Sequence, residues 1–216
     1  SRGEELEDLS IQIASAKHKL QLAARKLSTK RKRGAPRLAK KISSHLEELG
    51  FKRAHFELSL EPLDKPAQAG NENIEFMFSP NPGEPAKPLR MIASSGEMSR
   101  IMLAIKSTLA NEDAVPILVF DEIDANVGGE IAQAVGAKMA CLGNHHQVIA
   151  ITHLPQVASL ANCHYAVSKE FSSDGRTRSR LCKIEDDERI GEIARMLGGS
   201  TTSARKHAEN LLTIAA

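Results

Sequence analysis

The sequence has 216 residues, 41% apolar and 26% charged, with a formal net charge of +2; this excludes a disordered chain and a uniformly basic one. One Tyr, six Phe and no Trp exclude an aromatic stacking platform for single-stranded nucleic acid. No apolar run approaches membrane-spanning length, and the three cysteines (Cys141, Cys163, Cys182) form no CxxC, so neither a membrane span nor a disulfide scaffold is expected, and a reducing cytoplasm is the expected compartment.

The N-terminus, Ser1-Arg2-Gly3-Glu4-Glu5, carries no apolar signal region and no initiating Met, which points to a processed product or a fragment. Charge is divided unevenly. Residues 10–46 hold eleven Lys or Arg and no Asp or Glu, whereas the first nine residues sum to −3 and residues 47–216 to −6. Two parts with different surfaces are expected, a basic helix over 1–50 and an α/β lobe over 51–216.

Within the basic part, Leu6, Leu9, Ile13, Ala16, Leu20, Ala23 and Leu27 step alternately by three and four residues, a heptad seam. An ordinary amphipathic helix packed on its own domain gives a similar pattern, but the narrow seam with charged flanks favours one arm of an antiparallel coiled coil. Gly34-Ala35-Pro36 predicts an interruption. A second amphipathic stretch, Leu38, Ile42, Leu46 and Leu49, stops at Gly50. The cluster Lys30, Arg31, Lys32 and Arg33, helped by Arg37, Lys40 and Lys41, suits DNA phosphates; a solvated helix face is the alternative.

After Gly50 the period changes. Phe56, Leu58 and Leu60 alternate with polar residues, as do Ile74, Phe76 and Phe78, predicting strands. Residues 79–88 are rich in proline and read as a loop. Val115–Phe120, Glu130–Leu142 and Val148–Thr152 read as strand, helix and strand, a βαβ unit whose parallel strands should be buried on both faces. Tyr165–Ser168 and Arg180–Ile184 read as edge strands around a turn at Asp174-Gly175. A helix over 190–197 closed by Gly198-Gly199 follows, then another over 204–212.

Chemistry concentrates at three places. Ile117-Leu118-Val119-Phe120 ends in Asp121-Glu122. Ligands bind beyond the carboxyl ends of parallel strands, so Asp121 can hold Mg²⁺ and Glu122 can deprotonate a water. Two solvated acids are the bland alternative. Ala93-Ser94-Ser95-Gly96-Glu97-Met98 opens an apolar-periodic segment; its backbone N–H groups suit a phosphate, although Ser94 and Glu97 also form a capping box that needs no ligand. Thr152-His153-Leu154-Pro155 follows a buried run, bringing His153 to the same sheet edge. Cys141, His145, His146, Cys163 and His164 fit no compact zinc-ligand spacing.

In this order the three elements resemble the signature, Walker B and switch-histidine motifs in the C-terminal lobe of an ABC/SMC-type P-loop NTPase head, with a preceding coiled-coil helix. Ile92–Arg100, Val119–Asp124, Thr152–Val157 and Ala194–Gly199 are similar to the RecN family, SMC-like ATPases of bacterial DNA double-strand-break repair and recombination. The resemblance implies ATP and Mg²⁺ as cofactors, with Asp121 on Mg²⁺, Glu122 as base and His153 beside the γ-phosphate. Ser94, Ser95, Gly96 and Glu97 would meet a nucleotide held by a second head, making a homodimer. DNA is the further partner, and the nucleoid the place of action.

Two positions depart from the usual pattern: Ser95 stands where the first of two signature glycines is common, and Gly128 where the loop after Walker B often has aspartate. No GxxxxGK[ST] occurs; the resemblance implies that the phosphate-cradling loop lies in an N-terminal lobe before the coiled coil, and without it the chain is expected to be inactive. A non-enzymatic DNA-tethering scaffold and another SMC-like chromosome-organising ATPase are the competing readings.

Overall fold

The computed structural model describes residues 2–171, 176–199 and 201–215. The chain forms two compact units, one of the residues up to 47 together with 51–92, the other of residues 48–50 with those from 93 onward. The strands after Gly50 group by packing with the helix.

In the first unit α1 (Arg2–Glu48) runs unbroken for 47 residues with Pro36 inside it, about 70 Å at the ordinary helical rise. This corrects the expected interruption. Proline removes one ladder bond at a cost of about 3 kcal/mol, but the ladder continues on both sides and Ile42 and Leu46 beyond it are fully buried, so burial holds the turns that Pro36 weakens. The stop is where the sequence placed it. Gly50 adopts φ 97° and Phe51 N–H reaches Leu46 O at 3.0 Å, the closure of a left-handed C-cap.

β1 (His55–Ala67) and β2 (Gly70–Ser79) pair antiparallel, with Phe56 opposite Phe78, Leu58 opposite Phe76 and Leu60 opposite Ile74. A short β3 (Lys87–Pro88) adds to β2 within the expected loop. Phe56 and Phe78 are buried, and the Phe51 ring meets Phe78 edge-on at 5.4 Å. The tip of the hairpin lies on α1. Arg31 donates to Ala69 O at 2.6 Å and to Glu72 Oε2 at 3.1 Å. Gly70, at φ 119°, sits so close that a Cβ would fall 2.5 Å from Arg31 Nη1. Along the seam, Leu6, Leu9, Ile13 and Leu20 are each more than half exposed.

The second unit contains the expected βαβ element. β4 (Ile117–Phe120) and β5 (Gln147–Ala150) are parallel, paired from Ile117–Gln147 to Phe120–Ala150 and joined through α3 (Gly129–Leu142). Burial on both faces is corrected: Leu118 and Phe120 are buried, whereas Ile117, Val119, Ile149 and Ile151 are exposed. Side chains alternate across a strand, so one apolar face turns into the unit and the other outward.

α2 (Ser95–Thr108) buries Ile101, Leu103, Ala104 and Ile105 and packs against α3. α3 in turn meets α4 (Pro155–Ala158) at Gly136, where a Cβ would lie 3.2 Å from Gln156 O. β6 (His164–Phe171) and β7 (Thr177–Ile184) form the expected antiparallel pair; the turn expected at Asp174-Gly175 lies outside the described residues. α5 (Asp186–Met196) and α6 (Thr202–Ala215) pack around Ile193, Ala194 and Ala208 with Ala158. Gly198, at φ 106°, follows the end of α5. No described helix is long and apolar enough to cross a membrane.

Candidate functional site

The end of β4 and the start of α2 are tied together. Ser94 caps α2 in extended conformation, its hydroxyl accepting Glu97 N–H at 3.4 Å. One residue on, the Ser95 hydroxyl donates to the Glu122 carboxylate. The Ser99 hydroxyl, one turn later, donates to Asp121 O at 2.9 Å. Gly96 is buried with so little room that a Cβ would lie 2.9 Å from Ala125 Cβ and 3.0 Å from Glu122 O. The side chains of Asp121 and Glu122 emerge exposed. Glu122 adopts φ 54°, a left-handed conformation costing about 1–3 kcal/mol in a residue with a Cβ, and its carbonyl accepts Ala125 N–H at 3.0 Å in the turn that follows.

The β5 side of this edge is fastened by Asp124, which is 2% exposed. Ile151 N–H extends the parallel ladder to Phe120 O at 2.9 Å, and the chain then turns. The Thr152 hydroxyl donates to Asp124 Oδ2, His153 N–H donates to the same oxygen at 2.9 Å, and His153 Nδ1 lies 3.3 Å from it. Leu154 N–H donates to the Thr152 hydroxyl at 3.0 Å. From α2, Arg100 Nη1 donates to Ala125 O at 3.0 Å and to Ile123 O at 3.4 Å, gripping the backbone on both sides of Asp124. Burial pulls the Arg100 guanidinium below its ordinary value, Glu97 opposing, but a guanidinium keeps its proton.

Ser94, Ser95, Gly96, Glu97, Asp121, Glu122 and His153 thus lie along one edge of the second unit. Asp124, Arg100 and Ser99 join them. Asp124 follows a buried isoleucine in sequence, the only hint that its carboxylate turns inward. Nothing in the spacing of Arg100 foretells that it crosses to two carbonyls more than twenty residues away.

The basic cluster lies on α1 in the first unit. Lys30, Lys32 and Arg33 are exposed, but Arg31 is half-buried and committed to Ala69 and Glu72. Its guanidinium fastens the hairpin, a bond that its neighbours in the basic run do not make. Arg31 and a hydrogen bond from Ser28 hold the Glu72 carboxyl below its ordinary range, the Ser28 bond contributing most. Among the described residues no group of three or more His, Cys, Asp or Glu is arranged to hold a metal ion. A single exposed carboxylate such as Asp121 suits Mg²⁺, which keeps several waters and takes its other oxygens from substrate phosphates.

No protein-family model matches the chain. Its fold is that of part of an SMC head domain, an α/β lobe with a long preceding helix. An SMC head with an extended coiled coil from Pyrococcus furiosus, solved with the C-terminal domain of ScpA, superposes with a TM-score of 0.56 at 19% identity, covering 83% of this chain and 43% of that one. An SMC head with a coiled coil and joint from Pyrococcus yayanosii gives 0.53 at 20% identity, covering 97% and 36%.

Within that fold the chain belongs by sequence to the RecN family. It is 44% identical over 205 residues to the DNA repair protein RecN of Xylella fastidiosa strain 9a5c, 94% of this chain and 37% of the relative. It is 40% identical over 198 residues to RecN of Treponema pallidum, 88% and 34%, and 35% identical over 229 residues to RecN of Bacillus subtilis, 98% and 40%. The chain therefore spans between 34% and 40% of the length of these relatives.

Proposed function

We propose that the chain is the C-terminal half of a RecN-like ATPase head acting in DNA double-strand-break repair and recombination, and that it binds and hydrolyses ATP when completed by a P-loop lobe and a second head. The observation that carries this reading is the convergence of Asp121, Glu122 and His153 at the ends of two parallel strands, with the α2 N-terminus bonded to the same edge. Asp121 offers a hard oxygen to Mg²⁺, which when bound with nucleotide neutralises phosphate charge. Glu122 orients and deprotonates the attacking water. His153 presents its exposed ring to the terminal phosphate. Ser94, Ser95 and Gly96 offer the α2 N-terminus, with its positive dipole end, to a nucleotide on the partner head.

Two exposed features support the remaining partners. The apolar face formed by Val119, Ile149 and Ile151 suits the P-loop lobe, since a bare strand face seeks a packing layer. The heptad seam of α1 suits a second helix of the coiled coil. Lys30, Lys32 and Arg33 suit DNA phosphates, which would place the protein at the nucleoid.

The test is Mg-ATP turnover by the purified chain, alone and mixed with a separately expressed lobe carrying a P-loop. Turnover only in the mixture, lost in Glu122→Gln while nucleotide still binds, is the expected result. Two lobes that associate without turnover would instead favour a DNA-tethering scaffold.

A further inference from the structure

A carboxylate at the bottom of a turn must be compensated, because an unpaired buried charge is costly. Asp124 is compensated in an uneven way. The Thr152 hydroxyl, the His153 N–H and His153 Nδ1 all converge on one oxygen, Oδ2. The hydroxyl and the amide make hydrogen bonds to it, and the imidazole nitrogen stands 3.3 Å away as an ion-pair contact. The imidazole contact is additional, and it comes from a side chain that is 72% exposed, for which solvent offers other partners. Meanwhile Arg100 holds the carbonyls of Ile123 and Ala125, so the backbone carrying Asp124 is itself fixed from α2.

We infer that Asp124 is a positioning residue for His153: its buried carboxylate accepts the Nδ1–H of the imidazole, sets that tautomer, and leaves the Nε2 lone pair to accept a hydrogen bond from a water beside a terminal phosphate. Which ring nitrogen of a histidine carries the proton is set by the partner of the other, and a carboxylate behind an imidazole is a recurrent way of setting it. The inference rests on the proposed role of His153 for its consequence in turnover, but the ring geometry stands apart from that role.

The test therefore has two arms. In the 216-residue chain labelled with ¹⁵N-histidine, NMR at alkaline pH reads the tautomer of His153 directly and needs no variant. The Nδ1–H form is expected, with a shift toward Nε2–H in Asp124→Ala. An Nε2–H form in the unaltered chain overturns the inference. In the complete ATPase, Asp124→Asn is expected to lower kcat by roughly 10- to 100-fold through misplacement of the ring, with KM for ATP little changed. Combined with His153→Ala it should cost no more than His153→Ala alone, since both remove one function. Losses that multiply in the double variant overturn the inference. If His153→Ala leaves turnover intact, the role of His153 fails, while the NMR arm still decides whether Asp124 sets the ring. Far-UV circular dichroism identifies a variant that has simply unfolded, in which case the wild-type tautomer alone decides.

Discussion

The Ser95 hydroxyl donates to the carboxylate of Glu122, the residue proposed to activate water. Ser95 belongs to the turn that opens α2, and Glu122 follows β4, so the link binds the turn proposed to meet a nucleotide to the proposed base in the same chain. A carboxylate lone pair committed to a hydroxyl is not available to take a proton from water. Ser95→Gly removes the hydroxyl, keeps the backbone N–H and restores the paired glycines common in the signature motif. In the complete ATPase it is expected to raise basal turnover by roughly 3- to 10-fold, the worth of one partly charged hydrogen bond in a transition state. Steady-state turnover at saturating ATP measures it; unchanged or reduced turnover would show that the hydroxyl does not restrain Glu122.

Two helical glycines separate propensity from packing. Replacing a helix-interior Gly by Ala ordinarily stabilises by up to about 1 kcal/mol. At Gly191 in α5 a Cβ meets nothing within 4 Å, so Gly191→Ala should show that gain. At Gly96 a Cβ would lie 3.0 Å from the Glu122 carbonyl oxygen and 2.9 Å from Ala125 Cβ, and a backbone oxygen cannot swing aside. Gly96→Ala is expected to destabilise by about 1–3 kcal/mol. Denaturant melts of the two variants should therefore shift in opposite directions.

The same contrast between local pattern and tertiary contact explains how much was legible in sequence. The strands around Phe56, Phe76 and Phe78 show in alternation, and the βαβ unit shows in two apolar runs flanking a helical one. Asp121 and Glu122 stand out as charge ending an apolar run. Pro36 misleads because its cost is local, whereas Ile42 and Leu46 that hold the helix past it are buried by tertiary packing. The bonds of Arg31 to the hairpin are hidden for a related reason. Inside a run of four basic residues it looks like its neighbours, and only the hairpin folding back sets it apart. The hub at Asp124 depends on four segments meeting, from α2, β4, β5 and the turn after it, and no short-range period carries that information.

Arg31 and its basic neighbours should consequently separate in experiment. Charge reversal at Lys30, Lys32 and Arg33 is expected to weaken DNA binding and flatten its salt dependence, by about 0.9 in logarithmic slope for each phosphate no longer neutralised. Arg31→Ala removes the donors to Ala69 O and Glu72 and is expected to lower the melting temperature of the first unit, with much less effect on the salt slope. Fluorescence anisotropy with duplex DNA across a salt series, alongside thermal melts, checks both halves. Equal losses of DNA affinity from Arg31→Ala and from the triple reversal would contradict the division.

Acid sensitivity is expected at the root of the β6–β7 ribbon. His164 opens β6, and its Nδ1 is buried without a hydrogen-bond partner among the described residues. Burial lowers the imidazole below its ordinary value of 6.5, the nearby Arg189 guanidinium lowers it further, and Glu192 opposes both. Glu192 is itself held below the usual carboxylate range by its hydrogen bond from Arg195, so it stays ionised in this window. From about one pH unit above 6.5 the ring is essentially neutral in folded and unfolded chains alike, and it contributes no pH dependence there. As pH falls through the ordinary value the unfolded chain takes up the proton first, so stability declines until the lower folded value is reached. The urea midpoint of the wild-type chain should drop between about pH 7.5 and about pH 5.5 by more than that of His164→Gln, which cannot take up the proton. Identical pH dependence in the two proteins would mean that His164 is as easily protonated folded as unfolded.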